Sequence, residues 1–89
     1  MTAAPEEPEI LALIVRHLEA NLEQRPPGPI VAETRIVEDL ALDSLQSFEM
    51  IATVEDEYSV NLDIERLQDA RTIGDLARII TAIVSERAS

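Results

Sequence analysis

The chain contains no cysteine, no tryptophan and no lysine, and it has one histidine, one phenylalanine and one tyrosine among 89 residues. Without cysteine there are no disulfides and no thiolate metal sites, a composition that suits a reducing cytoplasm. No apolar run approaches the roughly 20 residues of a membrane span, so membrane insertion is not expected. The start, "MTAAPEEPEI", has neither the basic opening nor the apolar core of a signal peptide. A cytosolic protein is the expectation. With Phe48 and Tyr58 the only aromatic residues, the core must be built from Leu, Ile, Val and Ala. One small domain over residues 1–89 is expected, burying about 60–65% of its unfolded surface.

Positive charge is also scarce. Eighteen acidic residues oppose seven basic ones, all arginine, for a net charge of −11. Such a surface argues against nucleic acid, which needs cations along its backbone, and against an anionic membrane. It fits a partner with a basic docking patch. The charge is segregated as well: residues 36–65 hold nine acids and no arginine. Segregation of this kind marks a face of one sign.

The apolar pattern is helical. Residues 1–7 read as a flexible N-terminus containing Pro5, and a helical bundle over residues 8–86 follows. From Pro8, the residues Ile10, Leu11, Ile14, Leu18 and Leu22 recur at helical spacing, with Leu13 and Val15 beside them. Pro8 suits a first turn, and Glu6, Glu7 and Glu9 suit the positive end of the helix dipole. Pro26, Pro27 and Pro29 around Gly28 stop that helix near Gln24 or Arg25. A long loop to Asp43 carries Ile30, Val31, Ile36, Val37, Leu40 and Leu42, read as pins that fasten it over the core. A second helix spans Ser44 to about Tyr58. Asn61 or Asp63 caps a short turn containing Ile64 and Leu67. In "TIGD", Thr72 is a good N-cap and Asp75 completes a variant capping box, opening a last helix with an Ile73, Leu76, Ala77, Ile80, Ile83, Val84 stripe. No strand-like alternation competes. The fold class is all-α: a small bundle of three main helices plus one short helix.

The second helix has two apolar faces. Met50, Ile51, Val54 and Tyr58 fall together as a core stripe. Leu45, Phe48 and Ala52 fall on roughly the opposite side, flanked by Glu49, Glu55 and Asp56. Either they pack beneath the long loop, or they form a docking surface with apolar contact at its centre and charge at its rim.

Ser44 stands at the head of this helix with nothing to activate it. The only histidine, His17, lies in the middle of the first helix, and nucleophilic catalysis needs a base within hydrogen-bond reach. Asp39 and Asp43 are a formal carboxylate pair, but a chain this short offers no pocket to use them. "DLALDSLQSFEM" lacks the third-position acid, the sixth-position glycine and the twelfth-position glutamate of a calcium loop. No catalytic residue and no metal site is therefore expected. Two roles remain for Ser44. One is a helix N-cap; the other is a point of attachment, where a phosphate ester would meet the positive end of the dipole.

The residues "EDLALDSLQSFEMIATVEDEYSV" resemble the central region of acyl carrier proteins, whose usual pattern is Asp-Leu-Gly-x-Asp-Ser-Leu followed by an acidic helix, and "TIGDLARII" is similar to that family's last-helix opening. The resemblance spans roughly Leu11 to Val84. It implies an acyl-carrier-like bundle, not an enzyme, in which Ser44 carries a 4′-phosphopantetheine arm transferred from coenzyme A. Asp43 and Leu45 map onto the motif neighbours that a phosphopantetheinyl transferase and other partners read. Glu49, Glu55 and Asp56 map onto the acidic face that docks acyl-loading and acyl-processing enzymes with basic patches, where the stripe of Leu45, Phe48 and Ala52 would be the apolar centre, and Met50, Val54 and Tyr58 map onto core positions lining an acyl pocket. The expected particle is a monomer serving fatty-acid, lipid or polyketide synthesis. A carrier of aminoacyl or aryl groups and an unmodified acidic adaptor are the alternatives. The chain departs from the family in Ala41 for glycine, Tyr58 for phenylalanine, Val60-Asn61-Leu62 for Ile-Pro, and the proline-rich segment Pro26-Pro27-Gly28-Pro29.

Overall fold

The computed structural model describes residues 5–22, 26 and 28–88. It contains the helices α1 (Glu7–Asn21), α2 (Ser44–Tyr58), α3 (Ile64–Leu67) and α4 (Ile73–Ala88). Among the described residues there is no strand, only an isolated antiparallel bridge between Arg35 and Thr72. The chain is thus the all-α bundle expected, with three long helices and one short one.

In α1, Pro8 sits in the first turn with Glu7 and Glu9 beside it, where a missing N–H and negative charge both suit the helix start. Ile10, Leu13, Ile14 and Leu18 are its buried residues. The helix ends at Asn21, earlier than the prolines alone require. Asn21 turns its amide back onto the His17 carbonyl at 2.8 Å, competing with helix propagation, and Leu22 is already extended. Gln24 and Arg25, where the stop was expected, lie outside the described residues, as does the start of the N-terminal segment at Met1 to Ala4.

The segment between α1 and α2 is fastened at its middle, but not by all its apolar residues. Ile30 and Leu40 are buried and Ile36 and Leu42 pack against the core, whereas Val31 and Val37 face solvent. Backbone hydrogen bonds do the remaining fastening. The N–H of Gly74 donates to the Ala32 carbonyl at 2.8 Å, that of Ile73 to Thr34 at 2.9 Å, and that of Ile36 to Arg71 at 2.9 Å. The contact at Gly74 is close enough that a Cβ there would lie 3.0 Å from both the side chain and the carbonyl oxygen of Ala32. The loop is therefore a strap tied to the start of α4.

The last helix opens as its sequence demands. The Asp75 N–H donates to Thr72 Oγ1 at 3.0 Å, and the Thr72 N–H returns to Asp75 Oδ2 at 3.3 Å. Asp75 Oδ2 also accepts from the Arg71 N–H at 3.1 Å. These N–H donors, with Arg71 the stronger influence, hold the Asp75 carboxyl below the usual carboxylate range. Ile73, Leu76, Ala77, Ile80, Ile83 and Val84 are all buried. α1 packs on α4 and on α2, and α3 packs on α4. In α3, Asp63 is the cap, its carboxylate accepting from the Glu65 N–H at 3.0 Å. Arg66 makes a bidentate pair with Glu86 at 3.0 Å, tying this short helix to the end of α4. That pairing also lowers the Glu86 pKa.

Candidate attachment site and its surroundings

α2 starts at Ser44, but Ser44 is not its cap. Asp43 has the extended backbone of an N-cap, and its Oδ1 accepts from the Gln46 N–H at 2.8 Å. Gln46 Oε1 in turn accepts from the Asp43 N–H at 3.2 Å, completing a capping box. The N-cap role considered for Ser44 belongs to its neighbour. The signal was present in the sequence as Asp43 followed three residues later by Gln46. Ser44 is the first helical residue, exposed, and its hydroxyl has no hydrogen-bond partner among the described residues. An oxygen with no structural duty, set at the positive end of a 15-residue helix, is suited to bear a phosphodiester.

The approach to Ser44 is held rigidly. Asp39 Oδ2 accepts from the Arg35 N–H at 2.8 Å and Ala41 N–H donates to the Val37 carbonyl at 3.0 Å, winding residues 35–41 into successive turns. Ala41 has φ of 51°, the left-handed region that favours glycine. Asp39 is thus a turn-former.

Beside Ser44 opens a cavity of about 280 Å³ between α2, α3 and the strap. Asp43, Ser44, Ser47 and Gln68 supply its polar lining, and Ile36, Leu42, Phe48, Met50 and Ile51 line it with apolar side chains on one side. Ile64, Leu67, Ala70 and Leu76 close the other. Of the three residues assigned to an acyl pocket from sequence, only Met50 lines this cavity. Val54 is 1% exposed and belongs to the core. Tyr58 is half-buried toward the start of α1, where burial, reinforced by the carboxylates of Glu9 and Glu57, raises its phenol above the ordinary tyrosine pKa. The far wall, residues 64–70, was not legible in advance because a four-residue helix shows no periodicity.

The outer face of α2 faces solvent. Leu45 is 66% and Phe48 52% exposed, and Ala52, Glu49 and Asp56 are exposed too, so this stripe does not pack beneath the strap. Glu55 differs from the other acids. It is half-buried, and its Oε2 accepts from the Leu62 N–H at 2.8 Å, pinning the chain that leads into α3. His17 lies far from Ser44 in role: its Nδ1 is 3.2 Å from Thr53 Oγ1 and 3.3 Å from the Asn21 amide, a polar link between α1 and α2. Among the described residues no helix is long and apolar enough to cross a membrane.

Residues 10–80 match the family described as the phosphopantetheine attachment site. The chain is 33% identical over 73 residues to "Acyl carrier protein 3" of Ralstonia nicotianae, covering 82% of this chain and 84% of that protein. It is 38% identical over 73 residues to an acyl carrier protein of Onion yellows phytoplasma, covering 82% and 90%. It is 35% identical over 78 residues to the "Meromycolate extension acyl carrier protein" of Mycobacterium tuberculosis, covering 88% and 67%.

Proposed function

The chain belongs to the acyl carrier protein family, carriers and not enzymes whose cofactor is phosphopantetheine, and we propose that Ser44 is the residue that bears it. The observation that carries this reading is the exposed, unpartnered hydroxyl of Ser44 at the first position of α2, on the lip of an apolar cavity. A phosphopantetheinyl transferase would form the Ser44 Oγ–phosphorus bond, cleave the pyrophosphate of coenzyme A, release the adenosine bisphosphate and take up the serine proton. When bound, the arm's terminal thiol holds acyl groups as thioesters.

The protein's own residues do the rest. The capping box of Asp43 and Gln46 fixes the helix start and with it the backbone that carries Ser44. The cavity, apolar past its mouth, shelters an alkyl chain from water and so favours aliphatic acyl cargo over charged aminoacyl groups. Leu45 and Phe48, with Glu49 and Asp56 at the rim, offer an apolar centre in a negative field, the surface an acyl-processing enzyme with a basic patch would recognise. Fatty-acid, lipid or polyketide synthesis is the pathway class this cargo implies. The test is incubation with coenzyme A and a transferase, read by intact mass. One phosphopantetheine added to the wild type and none to Ser44→Ala is expected; addition to both variants, or to neither, rejects the assignment.

A further inference from the structure

The two walls of the cavity are packed on different helices. α2, which supplies Ser47, Met50 and Ile51, packs on α1. α3, which supplies Ile64 and Leu67, packs on α4 and is tied to its end by the pair of Arg66 and Glu86. The chain joins the walls through residues 59–63, where Ser59 is left-handed at φ 53° and Asp63 caps α3. A helix of four residues is too short to hold its own place by its backbone bonds. Glu55 fixes this junction. It stands one turn beyond Ile51 on α2, and its Oε2 accepts from the Leu62 N–H, seven residues on, at 2.8 Å. Its carbonyl also accepts from the Val60 N–H at 3.2 Å. Leu62 is buried and lies two residues ahead of Ile64, so these bonds set where the α3 wall begins.

We propose that Glu55 is a positioning residue for the cavity: its clasp on Leu62 holds the α3 wall in place beside α2, and its charge does not recruit basic partners. The cavity role rests on the reading that this cavity shelters an acyl chain tethered at Ser44. Glu55 is half-buried with a carboxylate oxygen committed to a backbone N–H, whereas Glu49 and Asp56 are exposed on the outer face of α2. A partner's arginine that drew this carboxylate outward would leave the N–H of a buried residue without its acceptor. That loss exceeds what an exposed ion pair returns. When the clasp breaks, the junction loosens and the α3 wall moves, admitting water to the sheltered chain while α1 and α4 stay packed. A clasp needs an acceptor oxygen at a set reach and no charge. A docking acid needs the charge and tolerates a change of reach.

The test separates reach from charge. Glu55→Gln keeps an acceptor oxygen at the same reach and removes the charge, whereas Glu55→Asp keeps the charge and is one methylene too short. The wild type and both variants are loaded from octanoyl-coenzyme A by a phosphopantetheinyl transferase. Thioester cleavage by hydroxylamine is measured relative to octanoyl-coenzyme A, at a temperature where circular dichroism shows all three fully helical. Cleavage in Glu55→Asp should rise about fivefold, the effect of one ordinary hydrogen bond, and the Leu62 amide of the unloaded variant should exchange with deuterium faster by a similar factor. Glu55→Gln should stay within about twofold of the wild type in both measurements. Its association rate with the transferase at physiological salt should also match the wild type, while Glu49→Gln should slow it. Faster cleavage in Glu55→Gln, or unchanged cleavage in Glu55→Asp, overturns the positioning role. Association slowed as much by Glu55→Gln as by Glu49→Gln overturns the statement about its charge. If Glu55→Asp does not fold, the cleavage and association rates of Glu55→Gln decide alone. A wild-type thioester cleaved as fast as octanoyl-coenzyme A overturns the sheltering reading itself, whatever the Leu62 amide does, and an arm that fails to load on Ser44 overturns the tether.

Discussion

Removing the Asp43 carboxylate should loosen α2, whereas removing the Ser44 hydroxyl should not. Asp43 Oδ1 accepts the Gln46 N–H at 2.8 Å, one of the helix-start donors that has no intrahelical partner. Asp43→Ala leaves that donor to water and costs about 1 kcal/mol, within the roughly 0.5–2 kcal/mol range for lost caps. The reciprocal bond from the Asp43 N–H to Gln46 Oε1 involves the backbone and survives, which keeps the loss away from the top of that range. For a domain of this size about 1 kcal/mol lowers Tm by roughly 4–8 °C. Asp43→Asn retains a capping oxygen and should stay near the wild type. Ser44→Ala removes a hydroxyl with no partner and should stay within about 0.5 kcal/mol. Thermal unfolding followed by circular dichroism, at a salt concentration that screens the net charge of −11, gives all four values. If Ser44→Ala fell as far as Asp43→Ala, the cap would reside in the serine hydroxyl. That oxygen would then have a structural duty, and the reasoning that frees it for modification would fail.

Three further outcomes follow from the packing around the site. Ala41→Gly should raise the urea midpoint, because relief of a left-handed alanine, about 1–2 kcal/mol, exceeds the roughly 0.5–1 kcal/mol entropic cost of glycine; a lowered midpoint would contradict the strain. Glu55→Ala should cost about 1 kcal/mol by stranding the Leu62 N–H, whereas Glu49→Lys and Asp56→Lys should leave stability within about 0.5 kcal/mol and instead slow association with a partner enzyme in a salt-dependent way. Equal stability losses at all three acids would remove that distinction. Acid stability should depend on Asp75 and Glu86, whose folded pKa values are depressed by the N–H donors of Arg71 and Thr72 and by Arg66 respectively. A depressed carboxylate stabilises above its unfolded pKa of about 4 and loses that contribution as pH falls through the lower folded value. Denaturant midpoints measured in high salt should therefore decline below about pH 4, and less steeply in Arg66→Gln.

Much of this fold is written in local chemistry. The stripe of α4 and the Thr72 and Asp75 box are legible because periodicity and capping act over a few residues. The bounds of α2 are legible for the same reason. The long loop is harder: Ile30 and Leu40 are buried while Val31 and Val37 are exposed, a choice made by backbone hydrogen bonds to the start of α4 that no side-chain pattern encodes. At the site, Ser44, Leu45 and Phe48 stand exposed where the two-faced helix puts them. The cavity beside Ser44 was not legible because part of its wall comes from residues 64–70, distant in sequence, and because Val54 and Tyr58 share a helix face with Met50 without sharing its neighbours. Glu55 reads as a rim charge until its bond to the Leu62 N–H is seen.

Two serines, Ser44 and Ser47, line the same cavity one turn apart. Fragment-ion mapping of the protein after reaction with coenzyme A and a transferase separates them directly. The phosphopantetheine should sit on the fragment containing Ser44 and leave Ser47 unmodified; an arm found on Ser47, on any other hydroxyl, or on none would contradict the claim that Ser44 is the tether.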